Sequence, residues 1–97
     1  MVKHIVTFKL SGTPEERKAV AKAFKEALMK LPAQIDVLES MEVGINENPD
    51  ENWDVVLTAI VPTMDDVRTY ATHPAHVAAA ALLNGHKDSR ACVDYSF

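Results

Sequence analysis

The segment Trp53-Asp54-Val55-Val56-Leu57-Thr58-Ala59-Ile60-Val61 is a strand with two apolar faces. In an extended chain Trp53, Val55, Leu57, Ala59 and Val61 point one way, and Asp54, Val56, Thr58 and Ile60 the other. A strand that is apolar on both sides over much of its length is covered on both sides. The 97 residues make one domain, 1–97, with a thin core and little to lay over a second face. The pattern therefore predicts a partner subunit.

Toward the N-terminus lies the polar turn Asn46-Glu47-Asn48-Pro49-Asp50-Glu51-Asn52, and before it a second strand over 37–46, with Met41, Val43 and Ile45 sharing a face with Glu39. The turn lacks the spaced carboxylates and glycine of a calcium loop and reads as a solvated connection. Further back, Thr13-Pro14-Glu15-Glu16 carries a capping threonine, a proline suited to the first helical position and a glutamate for a capping box. The helix it opens is expected to run to about Leu31, with Val20, Phe24, Leu28 and Leu31 as its stripe, Ala23 and Ala27 beside it, and Pro32 as its stop. Before it, Val2 to Leu10 alternates with Val2, His4, Val6, Phe8 and Leu10 on the more apolar face.

Toward the C-terminus, Thr63 caps a second helix whose expected inner stripe is Met64, Val67, Tyr70 and Ala71. His73-Pro74 bends it, and it restarts and stops at Asn84-Gly85. The run 86–90 reads as a polar connection and Ala91 to Phe97 as the last strand, with Ala91, Val93, Tyr95 and Phe97 on one face. The order β-α-β-β-α-β predicts an α+β, ferredoxin-like domain: a four-stranded antiparallel sheet with helices on one face and the other face bare.

Composition narrows the function. The net charge is −4 and the ten Lys and Arg are scattered, which excludes the basic footprint of a nucleic-acid binder. The third strand also lacks the stacking aromatics of an RNA-recognition sheet. No stretch reaches the ~18 apolar residues of a membrane span, and the N-terminus lacks the pattern of a signal peptide. A single cysteine, Cys92, allows no internal disulfide and fits a reducing cytoplasm.

The residues able to move protons cluster in Tyr70-Ala71-Thr72-His73-Pro74-Ala75-His76. His76 falls in the first turn of the restarted helix, where the dipole disfavours an imidazolium, so it is expected to be neutral and able to act as a general base. Tyr70 could orient that base or stabilise an enolate oxygen. His4 approaches from the sheet side. The bland alternatives are a capping role for His73, a core role for Tyr70, a backbone hydrogen bond for His76 and a core hydrogen bond for His4. His4, His73 and His76 lack an obvious carboxylate or thiolate to complete a metal site, and Cys92, facing away from Val93 and Tyr95, lacks a base that would make it a nucleophile. No cofactor or metal is expected.

Four segments together resemble the stress-responsive α/β-barrel domain family: Val2-Lys3-His4-Ile5-Val6 with Phe8-Lys9, Glu42-Val43-Gly44, His73-Pro74-Ala75-His76-Val77, and Val93-Asp94-Tyr95. The resemblance implies a homodimer, a dimeric α/β barrel in which the sheets of two subunits face each other and the helices lie outside. It extends distantly to a plant member, olivetolic acid cyclase, in which a histidine and a tyrosine close a ring by an aldol step without cofactor or metal. By position His76 and Tyr70 match that pair and His4 matches a further pocket histidine. The cyclase's third-strand histidine falls at Val55, so its polar lining is incomplete here.

The resulting expectation is a cytoplasmic homodimer with a small pocket in each subunit for an apolar or aromatic metabolite. The alternatives are a cofactor-independent cyclase, isomerase or related lyase using His76 with Tyr70, and a purely structural oligomer.

Overall fold

Alternation makes β1 (Val2–Leu10) half apolar, and two neighbours satisfy its backbone. In the computed structural model, which describes residues 1–97, β1 pairs antiparallel with β3 (Val55–Val61) on one side and with β4 (Lys87–Ser96) on the other. A further strand, β2 (Ser40–Ile45), pairs with β3, so the sheet order is β2-β3-β1-β4. Three helices, α1 (Pro14–Leu28), α2 (Met64–Thr72) and α3 (Pro74–Ala80), complete the ferredoxin-like domain.

The core lies between sheet and helices. Val2, Val6, Phe8 and Leu10 of β1 and Val55, Leu57, Ala59 and Val61 of β3 pack there with Phe24 and Leu28 of α1, Tyr70 of α2 and Ala79 of α3. The register fixes these faces: Val6 lies opposite Leu57 and Cys92, and His4 opposite Ala59 and Asp94. On the other sheet face, Ile5 lies beside Thr58 and Val93, Lys3 beside Ile60 and Tyr95, and Thr7 beside Val56 and Ala91. In a single subunit Val93 is 62% exposed and Phe97 59%, so this face ends in open apolar side chains.

Caps explain where the helices begin. The Thr13 hydroxyl accepts from the Glu16 amide, but Glu16 takes the Thr13 hydroxyl proton instead of reaching back to the backbone, so only half of the expected capping box forms. At α2 the box is complete: Thr63 accepts from the Asp66 amide, and the Asp66 carboxylate accepts from the Thr63 amide. Asp54 joins three segments by accepting from the Leu10 amide at 2.7 Å and pairing with Arg17 at 3.3 Å. The turn after β2 spends its asparagines on its own backbone, with the Asn46 and Asn48 side chains accepting from the amides of Asn48 and Asp50.

Several boundaries differ from the pattern reading. Helix α1 stops at Leu28, and Leu31 is buried from a separate 3₁₀ turn, Leu31–Ala33, built around Pro32. Ala21 is buried in the α1 stripe, while Ala23 is exposed. Met64 and Ala71 face outward, leaving Tyr70 as the buried anchor of α2 with Val67 half-buried. Trp53 lies outside β3 and is exposed. The polar run 87–90 is not a connection: it is the start of β4, held to β1 through its backbone.

Candidate functional site

His4, Tyr70 and His76 come together between the middle of the sheet and the α2–α3 bend. The bend arises because the residue before Pro74 is held extended, with His73 at φ −63° and ψ 136°. His73 itself caps α3, its Nδ1 accepting from the Ala75 amide at 3.0 Å. It takes no part in the cluster.

The bend brings His76 to Tyr70, with ring centroids 4.5 Å apart, and the Tyr70 ring also meets His4 at 5.7 Å, edge to face. Tyr70 is fully buried and its hydroxyl has no hydrogen-bond partner in the protein. The phenol is thus flanked by two imidazoles but bonded to neither. Burial pushes its pKa well above the ordinary tyrosine value, a shift that Arg90 opposes only in part, so the hydroxyl keeps its proton and is a donor.

The Nδ1–H of His76 donates to the Ala71 carbonyl at 2.8 Å. With its proton there, the neutral ring carries its lone pair on Nε2. The pKa of His76 is lowered chiefly by burial, against the opposing effect of the Ala71 hydrogen bond, with His4 and Arg90 lowering it further. Burial, rather than the helix dipole, is thus the main influence that favours the neutral ring. Its consequence for stability has a definite sign. A histidine whose folded pKa lies below its unfolded value of about 6.5 costs nothing above that pH and destabilises the fold as pH falls below it toward the folded pKa. Urea midpoints measured between neutral and mildly acid pH are expected to fall, and His76→Gln to remove part of that slope.

His4 is buried and its Nδ1 donates to Asp94 at 2.5 Å. Cys92 lies beside this pair, its Sγ 3.5 Å from His4 Nδ1 and 3.6 Å from Asp94 Oδ1. Burial and then the Asp94 carboxylate push the Cys92 thiol up. Asp94 is the site residue that pattern reading missed, and with Cys92 it supplies the carboxylate and thiol that the histidines alone lacked. The available signal was the alternation of β4: Cys92 and Asp94 share the face opposite Val93 and Tyr95.

Two surface grooves lie elsewhere. An open groove of about 1040 Å³ runs between α1 and the turn after β2, past Arg17, Lys22, Glu47 and Asp54. Only two of its thirteen lining residues are hydrophobic, so it does not match the expected apolar pocket. A second groove, past Lys22, Glu26 and Met29, continues along α1. Neither reaches Tyr70 or His76.

Residues 2–97 match the Stress responsive A/B Barrel Domain family, and the chain belongs to that family. A dimeric protein of unknown function with a ferredoxin-like fold from Bacteroides fragilis is 52% identical, covering 99% of this chain and 95% of that one with a TM-score of 0.96. A dimeric ferredoxin-like protein of unknown function from Thermobifida fusca is 29% identical over 99% of this chain and 90% of its own, with a TM-score of 0.79. An uncharacterised protein of Streptomyces coelicolor is 32% identical over 84 residues, 84% of this chain and 86% of that protein. No helix of the chain is long and apolar enough to cross a membrane.

Proposed function

We propose that the protein is a homodimer, joined through the bare faces of its sheets, that binds a small apolar or aromatic molecule in each subunit beside Tyr70. The observation that carries the binding reading is the Tyr70 hydroxyl, a fully buried donor without a protein partner. An unpaired buried polar group costs about 1–3 kcal/mol, and a phenylalanine would avoid that cost at the same volume. A hydroxyl kept in such a place fits a ligand that brings an acceptor, such as a ketone carbonyl, with aromatic or apolar bulk against the flanking rings. The dimer is supported by the exposed Val93, Tyr95 and Phe97 side chains and by the dimeric relatives.

The test is thermal unfolding of wild type and Tyr70→Phe against a panel of small aromatic ketones. Tyr70→Phe alone is expected to be as stable as wild type, or more stable by up to about 1 kcal/mol. A ligand is expected to raise the wild-type midpoint and to lose most of that shift in the variant. Equal shifts in both proteins would remove the hydroxyl from the binding site.

One observation favours turnover as a second reading. The His76 ring, with its Nδ1 proton given to Ala71, stands 4.5 Å from the ring of a phenol that keeps its proton, which supports a base and an acid acting on one bound molecule. Such a pair can remove a proton next to a carbonyl while the phenol steadies the enolate oxygen, as a cofactor-free cyclase or isomerase requires. Exchange of the α-protons of a bound ketone into heavy water, followed by NMR, separates the readings: turnover predicts exchange that His76→Gln abolishes.

A further inference from the structure

We propose that His4, Cys92 and Asp94 form a binding site for a zinc-class divalent metal ion. Imidazole nitrogen, thiolate sulfur and carboxylate oxygen are the donors such an ion takes, and a thiolate disfavours magnesium and calcium. The three donor atoms lie within 4.8 Å of one another.

Their spacing fits a single ion. Zinc bonds of about 2.0–2.1 Å to nitrogen and oxygen and about 2.3 Å to sulfur, at tetrahedral angles, place the ligand atoms roughly 3.4–3.6 Å apart. The sulfur stands 3.5 Å from the His4 nitrogen and 3.6 Å from the Asp94 oxygen, so two edges of the tetrahedron are already present. The third, nitrogen to oxygen, is now closed by a hydrogen bond at 2.5 Å. It must open by about 0.9 Å, which a small rotation of the Asp94 carboxylate supplies. That side chain is 24% exposed, so it has room to move and the ion has a path in.

The backbone holds the donors in place. His4 and Asp94 are register partners on the hydrogen-bonded strands β1 and β4, and Cys92 lies two residues along β4 on the same face. On binding, the thiol gives up its proton to solvent, while the imidazole stays neutral: its proton passes by way of solvent from Nδ1 to Nε2, which frees the Nδ1 lone pair for the ion. Three protein donors leave a fourth position for water or a ligand, as in zinc sites with an open position. The proposal does not rest on the small-molecule reading, because its readout involves neither Tyr70 nor His76.

Titration of the purified protein with cobalt(II), a zinc stand-in with visible spectra, tests it. The expected result is one ion per subunit, a thiolate-to-cobalt charge-transfer band in the near ultraviolet, and displacement of that band by zinc. Cys92→Ser, nearly isosteric, is expected to lose the band and to weaken cobalt binding by about tenfold or more, and Asp94→Asn to weaken it by a similar factor. No band, or a band unchanged in Cys92→Ser, would overturn the proposal. Should Cys92→Ser fail to fold, unchanged cobalt affinity in Asp94→Asn would overturn it equally.

Discussion

Phe24→Ala is expected to cost about 3–5 kcal/mol of folding stability, the range found when a large buried aromatic is truncated and the cavity cannot collapse. Phe24 is 2% exposed in α1 and meets Phe8 of β1 edge to face, at 5.4 Å and 89°. It therefore ties the longest helix to an inner strand, and both the buried area and the aromatic pairing are lost together. A domain of this size has roughly 5–15 kcal/mol in all, so the variant is expected to be marginally folded at room temperature. Urea unfolding at fixed protein concentration checks this, since a dimer's apparent stability varies with concentration. A loss under about 1.5 kcal/mol would mean that α1 packs on the sheet less tightly than described.

Val93→Asp is expected to turn the dimer into monomers. Val93 is 62% exposed in one subunit and lies beside Ile5 on the bare face of the sheet. Two-fold packing of that face buries the substitution twice, once from each subunit. An unpaired carboxylate in an apolar interface costs several kcal/mol. At about 3 kcal/mol per subunit the dissociation constant rises about 10⁴-fold. Sedimentation velocity at micromolar concentration is expected to show a dimer for wild type and for Val93→Thr, and a monomer for Val93→Asp. A dimeric Val93→Asp would place the interface on another surface.

The fold was legible because most of its strands carry local patterns. Alternation in β1 and β3 marks their inner faces residue by residue, and His73-Pro74 marks the bend between α2 and α3. The errors fall where tertiary structure overrides local pattern. The first residues of β4 are polar because their side chains are exposed, and backbone pairing with β1 alone makes them a strand. Leu31 kept the helical spacing of α1 while the chain had already turned, and its burial comes from the 3₁₀ turn. The site was half legible. Tyr70 and His76 are six residues apart and the bend brings them together, so a local reading could find them. The pairing of His4 with Asp94 spans 90 residues and depends on the register between two strands, which no local pattern encodes. The lowered pKa of His76 likewise comes mainly from burial, a property of the assembled layers.

Whether the Tyr70 hydroxyl is kept unpaired for a ligand is answered by a crystal structure of the dimer at a resolution that shows bound water. The expected result is an apolar cavity beside that hydroxyl, large enough for a small organic molecule, bordered by His76 and reachable from solvent. A hydroxyl closed in by apolar side chains, or with space for no more than one water, would contradict it and leave Tyr70 as a core residue of a structural dimer.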